Sequence, residues 1–235
     1  MRFKARYTAY RGIRFVFHGR LSESYTNYLW LPLLSIFTAG LIIPYYMFRQ
    51  KRYFMENMAF GTTRNTFTAD AGRFYTVYLQ AFAIGVVAYG VGMAGIIPAL
   101  LSGALNENAA FSSGALVSIV LGYAVILVLG AVLQQFIYAR ITNYSFQTSR
   151  LGELRFHSTL NVGALVRIRL SNALAIIFSL GLAIPWAMVR HAAYVLNNIT
   201  VRTQGELDSF TADVLQDEDA LGDVAADALD FEVGL

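Results

Sequence analysis

The stretch FTAGLIIPYYMF, residues 37–48, is central to the fold of this chain, because it recurs as FSLGLAIPWAMV at residues 178–189. Each copy places a glycine four residues before a proline inside an uncharged, apolar run. Proline suits the first turn of a helix, where its missing N–H is not needed. The pattern therefore predicts an apolar helix, a break between the glycine and the proline, and then a second helix.

The similarity between the two stretches continues on both sides of the break. Nine positions are identical at a constant offset of 141 residues: Phe37, Gly40, Leu41, Ile43, Pro44, Met47, Arg49, Tyr53 and Asn57 match Phe178, Gly181, Leu182, Ile184, Pro185, Met188, Arg190, Tyr194 and Asn198. Upstream, Phe17, His18 and Leu21 match Phe156, His157 and Leu160 at an offset of 139, which predicts a two-residue difference between the copies. We interpret the match as an internal duplication relating about 13–64 to 154–202.

The duplicated positions supply the candidate site residues. Four of them flank the breaks and are candidate hinges: Gly40, Pro44, Gly181 and Pro185. Six more recur at four-residue spacing on one face of the second helix in each copy: Arg49, Tyr53 and Asn57, then Arg190, Tyr194 and Asn198. This face predicts an interfacial amphipathic helix with an arginine reaching towards the headgroups. The alternation of Ile13, Phe15 and Phe17 predicts a short strand or loop before the first copy.

The composition excludes a water-soluble globular enzyme. The chain is 56% hydrophobic and 14% charged, with a mean hydropathy of +0.49, whereas soluble chains are about 25% charged. It contains no cysteine, which removes disulfides, thiolate metal sites and cysteine nucleophiles. The expected fold class is an all-α integral membrane protein.

Four uncharged windows are long enough to cross a bilayer: 24–48, 74–106, 108–139 and 170–189. The two middle windows are the predicted transmembrane helices, and they carry small residues at four-residue spacing that let helices approach closely. The outer two are the Gly/Pro-broken segments, which either span the membrane or enter it and return. A linker without Lys or Arg joins the middle windows and predicts a non-cytoplasmic turn.

The net charge of +3 is the sum of two unequal parts. All 18 Lys and Arg lie at or before Arg202, together with five acids, so residues 1–202 carry 18 − 5 = +13. Residues 203–235 carry ten acids and no base, hence −10. We predict a multi-pass membrane domain over 1–202 and an acidic tail over 203–235.

Two topologies fit the charges. If all four windows span, the 18 bases divide 10 to 8 across the membrane, which is hardly a bias. If the outer windows enter and return, all 18 lie on one side, as the positive-inside rule favours. The basic segments 49–73 and 140–169 are expected to be cytoplasmic in a bacterial inner membrane. Both topologies put the two termini on the same side.

Two function classes remain open. No catalytic motif is present, and no acid lies inside a window to couple ions, so we expect neither an enzyme nor a cofactor. The histidines are too few for a metal site, and the bases suit anionic lipid headgroups better than nucleic acid. Helix-to-helix hydrogen bonding is the expected role of Gln80, Gln134 and Gln135. The first class is a non-enzymatic scaffold or accessory subunit that binds another membrane protein or itself. The alternative is a small oligomeric transporter or channel with its path where the repeats meet.

The acidic tail has two interpretations. It is a solvated end, or an arm that docks on basic segments including Arg64, Arg73, Arg150 and Arg155.

The segments around the two breaks resemble the YjgN-like family of bacterial inner-membrane proteins, whose function is unknown. The resemblance rests on Thr38 to Leu41 with Pro44 and Tyr45, and on Ser179 to Leu182 with Pro185 and Trp186. The segments 138–143, 148–151 and 155–160 also resemble that family. The first copy departs from the family pattern at Ala39 and Tyr45. The resemblance covers about 13–200, leaves the tail without a counterpart, and implies a membrane protein of no assigned activity.

Overall fold

The computed structural model describes residues 9–10, 13–104 and 113–203. Within them the chain is mostly helical. The helical elements are α1 (Leu21–Tyr25), a π-helical turn (Thr26–Trp30), α2 (Leu31–Phe37), α3 (Ile43–Glu56), α4 (Ala71–Ala104), α5 (Ser113–Gln147), α6 (Val162–Phe178) and α7 (Ile184–Asn197). The strands are β1 (Ala9–Tyr10), β2 (Ile13–Phe17), β3 (Met58–Phe60), β4 (Thr63–Phe67), β5 (Ser149–Leu151), β6 (Leu154–Ser158) and β7 (Ile199–Arg202).

The expected all-α class is wrong, because these seven strands of the described chain form one antiparallel sheet in the order β1 to β7. The strands have two to five residues each, and three-residue strands beside helix ends are too short to show a period of two. Only the alternation over β2 was visible in the sequence, where a strand or loop was predicted. Tertiary pairing, rather than local pattern, makes the others strands.

Tight turns join β3 to β4 and β5 to β6. Phe60 pairs with Thr63, and Leu151 pairs with Leu154, so each loop has two residues. The first of these is glycine with φ of +57° in both cases, Gly61 and Gly152. A glycine at the first central position is the signature of a type II′ turn, whose twist suits antiparallel strands.

Three long connections leave this sheet and return to it at paired residues. They run from β2 to β3, from β4 to β5 and from β6 to β7, and their end residues are the cross-strand pairs Phe17–Met58, Phe67–Ser149 and Ser158–Ile199. One more backbone hydrogen bond closes each base, from the amides of His18, Thr68 and Thr159 to the carbonyls of Asn57, Thr148 and Asn198, at 2.9 to 3.0 Å. Connections in an antiparallel meander alternate between the two ends of the strands. These three bases therefore lie at the same end of the sheet.

The chain forms two compact units. Among the described residues, the first unit contains 9–74, 144–158 and 199–203, which include the sheet and α1 to α3. Its core covers one face of the sheet: a cluster of Ile13, Phe60, Leu151 and Leu154. Helix α3 packs on the same face through Phe48, whose ring centroid lies 6.4 Å from that of Phe67.

The second unit contains 75–143 and 159–198, which include most of α4 and α5 and all of α6 and α7. Helices α4 and α5 are each long and apolar enough to cross a membrane. They have 34 and 35 residues, about 50 Å at 1.5 Å per residue, against a hydrocarbon core of about 30 Å. The helices of the two middle windows therefore form as predicted.

Two glycines let α4 and α5 approach closely. A Cβ placed on Gly122 would lie 2.7 Å from the carbonyl oxygen of Gly92, and a Cβ on Gly92 would lie 3.0 Å from that of Gly122. Ile96 and Ile126 fill the space on either side. This contact joins two of the small residues predicted for helix packing.

Candidate functional site

The two breaks fold into the same turn. In the first, Ala39 and Gly40 have φ of +48° and +85°; in the second, Leu180 and Gly181 have φ of +50° and +94°. Two consecutive residues of positive φ reverse the chain between α2 and α3, and between α6 and α7. The predicted hinge glycines therefore occupy the left-handed positions where glycine costs least.

Within each turn, backbone amides and carbonyls form hydrogen bonds with one another. The amide of Gly40 donates to the carbonyl of Ser35 at 2.8 Å, and that of Gly181 to Ile176 at 2.8 Å. In the first turn, the amides of Leu41 and Ile43 donate to the carbonyls of Thr38 and Gly40. The same two backbone hydrogen bonds recur in the second turn, from Leu182 to Ser179 and from Ile184 to Gly181. Pro44 and Pro185 lie in the first turn of the next helix, where no donor is needed. Such a turn leaves few backbone groups that require water.

Large apolar side chains surround both turns and are exposed. Phe37 and Leu41 are 81% and 78% exposed at the first turn, and Leu180 and Leu182 are 95% and 86% exposed at the second. Exposed patches of this kind mark contact with lipid or with another protein.

The side chain of each predicted arginine forms hydrogen bonds with a helical segment that precedes its own helix. Arg190 Nη1 on α7 donates to Ser171 Oγ at 2.7 Å and to Asn172 Oδ1 at 3.1 Å, both on α6. Its Cζ lies 5.2 Å from the centre of the Trp186 ring. Asn172 is 7% exposed and donates in turn to the carbonyl of Ala187 at 3.1 Å. The arginine therefore ties the two helices of this hairpin together.

Arg49 holds a comparable position in the first hairpin. Its Nε donates to Oδ1 of Asn27 at 3.4 Å, and Gln50 Nε2 donates to the Asn27 carbonyl at 3.1 Å. Asn27 is 2% exposed and lies in the π-helical turn. Asn27 and Asn172 are the residues of the candidate site that the repeat pattern missed, since they are 145 residues apart instead of 141. The signal for both was an amide inside an uncharged window.

The remaining predicted residues close the bases of the hairpins. Tyr53 Oη donates to the carbonyl of Arg20 at 3.0 Å, and Tyr194 Oη accepts from the amide of Asn161 at 3.1 Å. The side-chain amides of Asn57 and Asn198 each donate 2.8 Å back to the tyrosine carbonyl four residues earlier. Tyr53 is buried, and its ring meets that of Phe17 edge-on.

At the bases of the two hairpins, equivalent backbone hydrogen bonds and strand pairs are 141 residues apart in the sequence, and not 139. His18 bonds to Asn57 as Thr159 bonds to Asn198, and Phe17 pairs with Met58 as Ser158 pairs with Ile199. Phe156 pairs with Val201, and the pair at the same offset in the first copy is Phe15 with Phe60. The predicted two-residue difference is therefore wrong, because Phe156 occupies the place of Phe15 in the sheet and not that of Phe17.

The same correction separates the two histidines. His18 follows β2 and is exposed, whereas His157 lies within β6 opposite Thr200. His191 contacts the Tyr138 ring at 5.9 Å between centroids. The described residues contain no group of three His, Asp or Glu that could hold a metal ion.

Each hairpin borders a cavity. The one beside α3 has a volume of about 190 Å³ and is polar, lined by Glu23, Asn27, Arg49, Arg52, Tyr53, Glu56 and Asn57. The one between α6 and α7 has about 600 Å³, with polar residues Arg169, Asn172 and His191 and apolar residues including Ile176, Ile184 and Met188. On α3, burial lowers the pKa of the Lys51 amine below its ordinary value of 10.5, since desolvation disfavours the charged form.

Together, these features define the class of protein: a chain with two helices long and apolar enough to cross a membrane, two helical hairpins and an antiparallel sheet. The chain belongs to a family described as a bacterial protein of unknown function, DUF898, whose sequence model matches residues 1–228. The resemblance to the YjgN-like family is confirmed, and it covers more of the chain than expected, including the tail as far as residue 228. No match was found among curated proteins or among solved structures.

Proposed function

We propose that this chain is a non-enzymatic scaffold or accessory subunit of a bacterial inner-membrane complex, in which α4 and α5 bind another membrane protein or a second copy. The observation that carries the proposal is a pair of amides on apolar helices. Gln80 and Gln134 are exposed, and neither forms a hydrogen bond with any residue that the structure describes.

Both amides lie well inside the charged ends of their helices. Gln80 is seven residues beyond Arg73 and Gln134 is six residues before Arg140, about 10 Å and 9 Å along the axis. An amide at that depth in hydrocarbon lacks partners, which costs free energy. A neighbouring helix with a donor or acceptor would supply them, with about 0.6 to 2 kcal/mol per interhelical hydrogen bond.

The three hairpin bases support a one-sided arrangement for this subunit. Each connection rejoins the sheet beside the point where it left, which supports an arrangement in which α2–α3 and α6–α7 enter and return and α4–α5 crosses twice. All 18 Lys and Arg then lie on one side, as the positive-inside rule favours for the cytoplasm. The self-bonded turns and exposed apolar tips suit insertion into the bilayer. The matching turns also support an internal duplication.

Co-purification tests the scaffold proposal. The full chain is extracted in mild detergent, and its mass and co-purifying chains are compared with those of a Gln80→Leu, Gln134→Leu variant. We expect the variant to lose most of the partner or of the second copy while keeping its thermal stability. Gln147→Leu is the matched control, since Gln147 is also exposed on α5 but lies outside the uncharged window. Equal recovery of partner with all three chains would refute the proposal.

A transporter or channel is the second candidate, favoured by the 600 Å³ cavity that Asn172 lines in the broken α6–α7 hairpin. Broken helices at repeated positions are typical of transport sites. Solute flux in vesicles that contain only this chain would support this function. Flux that Arg190→Met or Asn172→Leu abolishes would place the path at that hairpin and displace the scaffold proposal.

A further inference from the structure

Four arginines lie together on the exposed face of the sheet. Arg150 on β5 pairs directly with Arg155 on β6, and Arg155 pairs directly with Arg202 on β7. Arg64 on β4 is two residues from Thr66, the cross-strand partner of Arg150. We call Arg64, Arg150, Arg155 and Arg202 the arginine ladder.

The arginine ladder faces away from the core of its unit. Along β5, Arg150 is exposed between the buried Ser149 and Leu151. Along β4, Arg64 and Thr66 are exposed while Asn65 and Phe67 are buried. The buried face packs on α3, where Asn65 Nδ2 donates to the Met55 carbonyl at 3.0 Å. The arginine ladder is therefore on the side opposite α3.

Adjacent like charges in a ladder need an anionic partner. Directly opposed like charges on neighbouring strands destabilise a sheet, and three consecutive arginines repeat this arrangement twice. None of the four forms an ion pair within the part of the chain that the structure describes. A polyanion lying across the strands would convert the repulsion into attraction.

The chain itself supplies such a polyanion. Beyond Arg202, at the end of the edge strand β7, the sequence contains ten acids and no base, starting at Glu206. Residues 204–235, which carry all of them, lie outside the described residues. From β7 to β4 is three strand spacings, about 14 Å, which about five extended residues can span. The family match extends through residue 228, so residues 204–228 of this acidic segment are part of the family sequence.

We propose that the acidic segment 204–235 docks on the arginine ladder of its own sheet. Salt weakens this docking because it screens the attraction between the opposite charges. This role is independent of the scaffold function, which concerns α4 and α5.

Cysteine cross-linking of the full chain tests the contact, because the natural chain has no cysteine. One cysteine replaces the exposed Thr66 and the other replaces Ala220 in the tail. We expect a disulfide within one chain at about 0.01 M salt, lost at about 1 M, where the Debye length falls from about 30 Å to about 3 Å. A disulfide that joins two chains, or one whose yield ignores salt, would overturn the proposal.

Matched charge variants separate the arginine ladder from net charge. Replacing Arg150, Arg155 and Arg202 by glutamine should slow the cross-link about tenfold or more, the scale of electrostatic steering. Replacing Arg52, Arg167 and Arg169 by glutamine removes the same charge elsewhere and should leave the rate unchanged. Equal slowing by both triplets would show a general charge effect and contradict docking on the arginine ladder.

Thermal stability gives a second measurement that does not depend on cysteines. Asp217→Asn, Glu218→Gln and Asp219→Asn together should lower the Tm of the full chain, and so should the arginine-ladder triplet. Combining both triplets should lower the Tm no further than either alone, because each removes the same contact. Additive losses would mean that the tail and the arginine ladder act separately, which would also overturn the proposal.

Discussion

Ser158 and Ile199 are cross-strand partners on β6 and β7, so residues 159–198 leave the sheet and rejoin it at one point. A segment with this base cannot be a single membrane crossing, because a single crossing would place its two ends on opposite sides. The same relation holds for Phe17 and Met58 at the base of the first hairpin. These two pairs favour the topology in which the outer windows enter and return.

Labelling of single cysteines tests this topology. We expect cysteines at Glu153, in the exposed turn before β6, and at both termini to react only from the cytoplasmic side. A cysteine at Ser113, the first residue of α5, should react only from the opposite side. Glu153 and the termini reacting from opposite sides would instead support four separate crossings.

Alanine substitutions at the glycines test the α4–α5 contact. Gly122→Ala would place a Cβ 2.7 Å from the Gly92 carbonyl oxygen and 2.5 Å from Ile96 Cγ1, so the helices must separate. Overpacking of this kind costs about 1 to 3 kcal/mol, measured as a lower free energy of unfolding in detergent. Gly90→Ala and Gly130→Ala are controls with nothing within 4 Å, and they should be neutral or slightly stabilising. Equal losses at all three positions would exclude close packing as the cause.

The hairpin turn predicts opposite effects at adjacent residues. Gly40→Ala forces a side chain into a φ of +85°, which should cost about 1 to 2 kcal/mol. Ala39→Gly relieves the same strain at a φ of +48° and should stabilise or leave the turn unchanged. Thermal unfolding of both variants checks the sign, and a stabilising Gly40→Ala would contradict the turn geometry.

Removal of the Arg190 side chain tests the contact across the second hairpin. Arg190→Met leaves the oxygen of the buried Asn172 without its donor, at a cost of about 1.5 to 3 kcal/mol. Adding Asn172→Leu should recover part of the loss, because both polar partners are then removed. Arg52→Gln breaks only an exposed pair with Glu56 and should cost less than about 1 kcal/mol. A cost for Arg190→Met no larger than that of this control would show the contact to be weak.

Lys51 gives a pH dependence of known sign. Because burial lowers the pKa of its amine in the folded chain, the unfolded chain binds more protons between that lowered pKa and about 10.5. The free energy of unfolding therefore rises with pH across this window. Lys51→Met should stabilise the chain at neutral pH, and its advantage should shrink as the pH approaches 10.5. Unfolding curves at several pH values measure the difference, and an advantage that grows with pH would contradict desolvation of the amine.

The sequence predicted several parts of the candidate site because they depend on local chemistry. Gly40 and Gly181 were placed at breaks since only glycine adopts their backbone conformation at low cost, and the structure gives both a positive φ. Asn27 and Asn172 were missed because nothing local shows which amide an arginine on another helix will reach. The arginine ladder was also missed as a unit, although Arg64, Arg150 and Arg155 were named separately. Cross-strand register brings these residues together from distant parts of the chain.

By itself, the sequence determined the two long apolar helices and the glycine–proline breaks, because hydrophobicity and backbone preference act over a few neighbouring residues. Only the tertiary structure decided that the chain contains a sheet, and that each hairpin rejoins it beside its point of departure. Hydrogen bonds such as His18 to Asn57 and Thr159 to Asn198 join residues about forty positions apart, and no local pattern encodes such pairing. Strand pairing also brings Arg150, Arg155 and Arg202 side by side from distant parts of the chain.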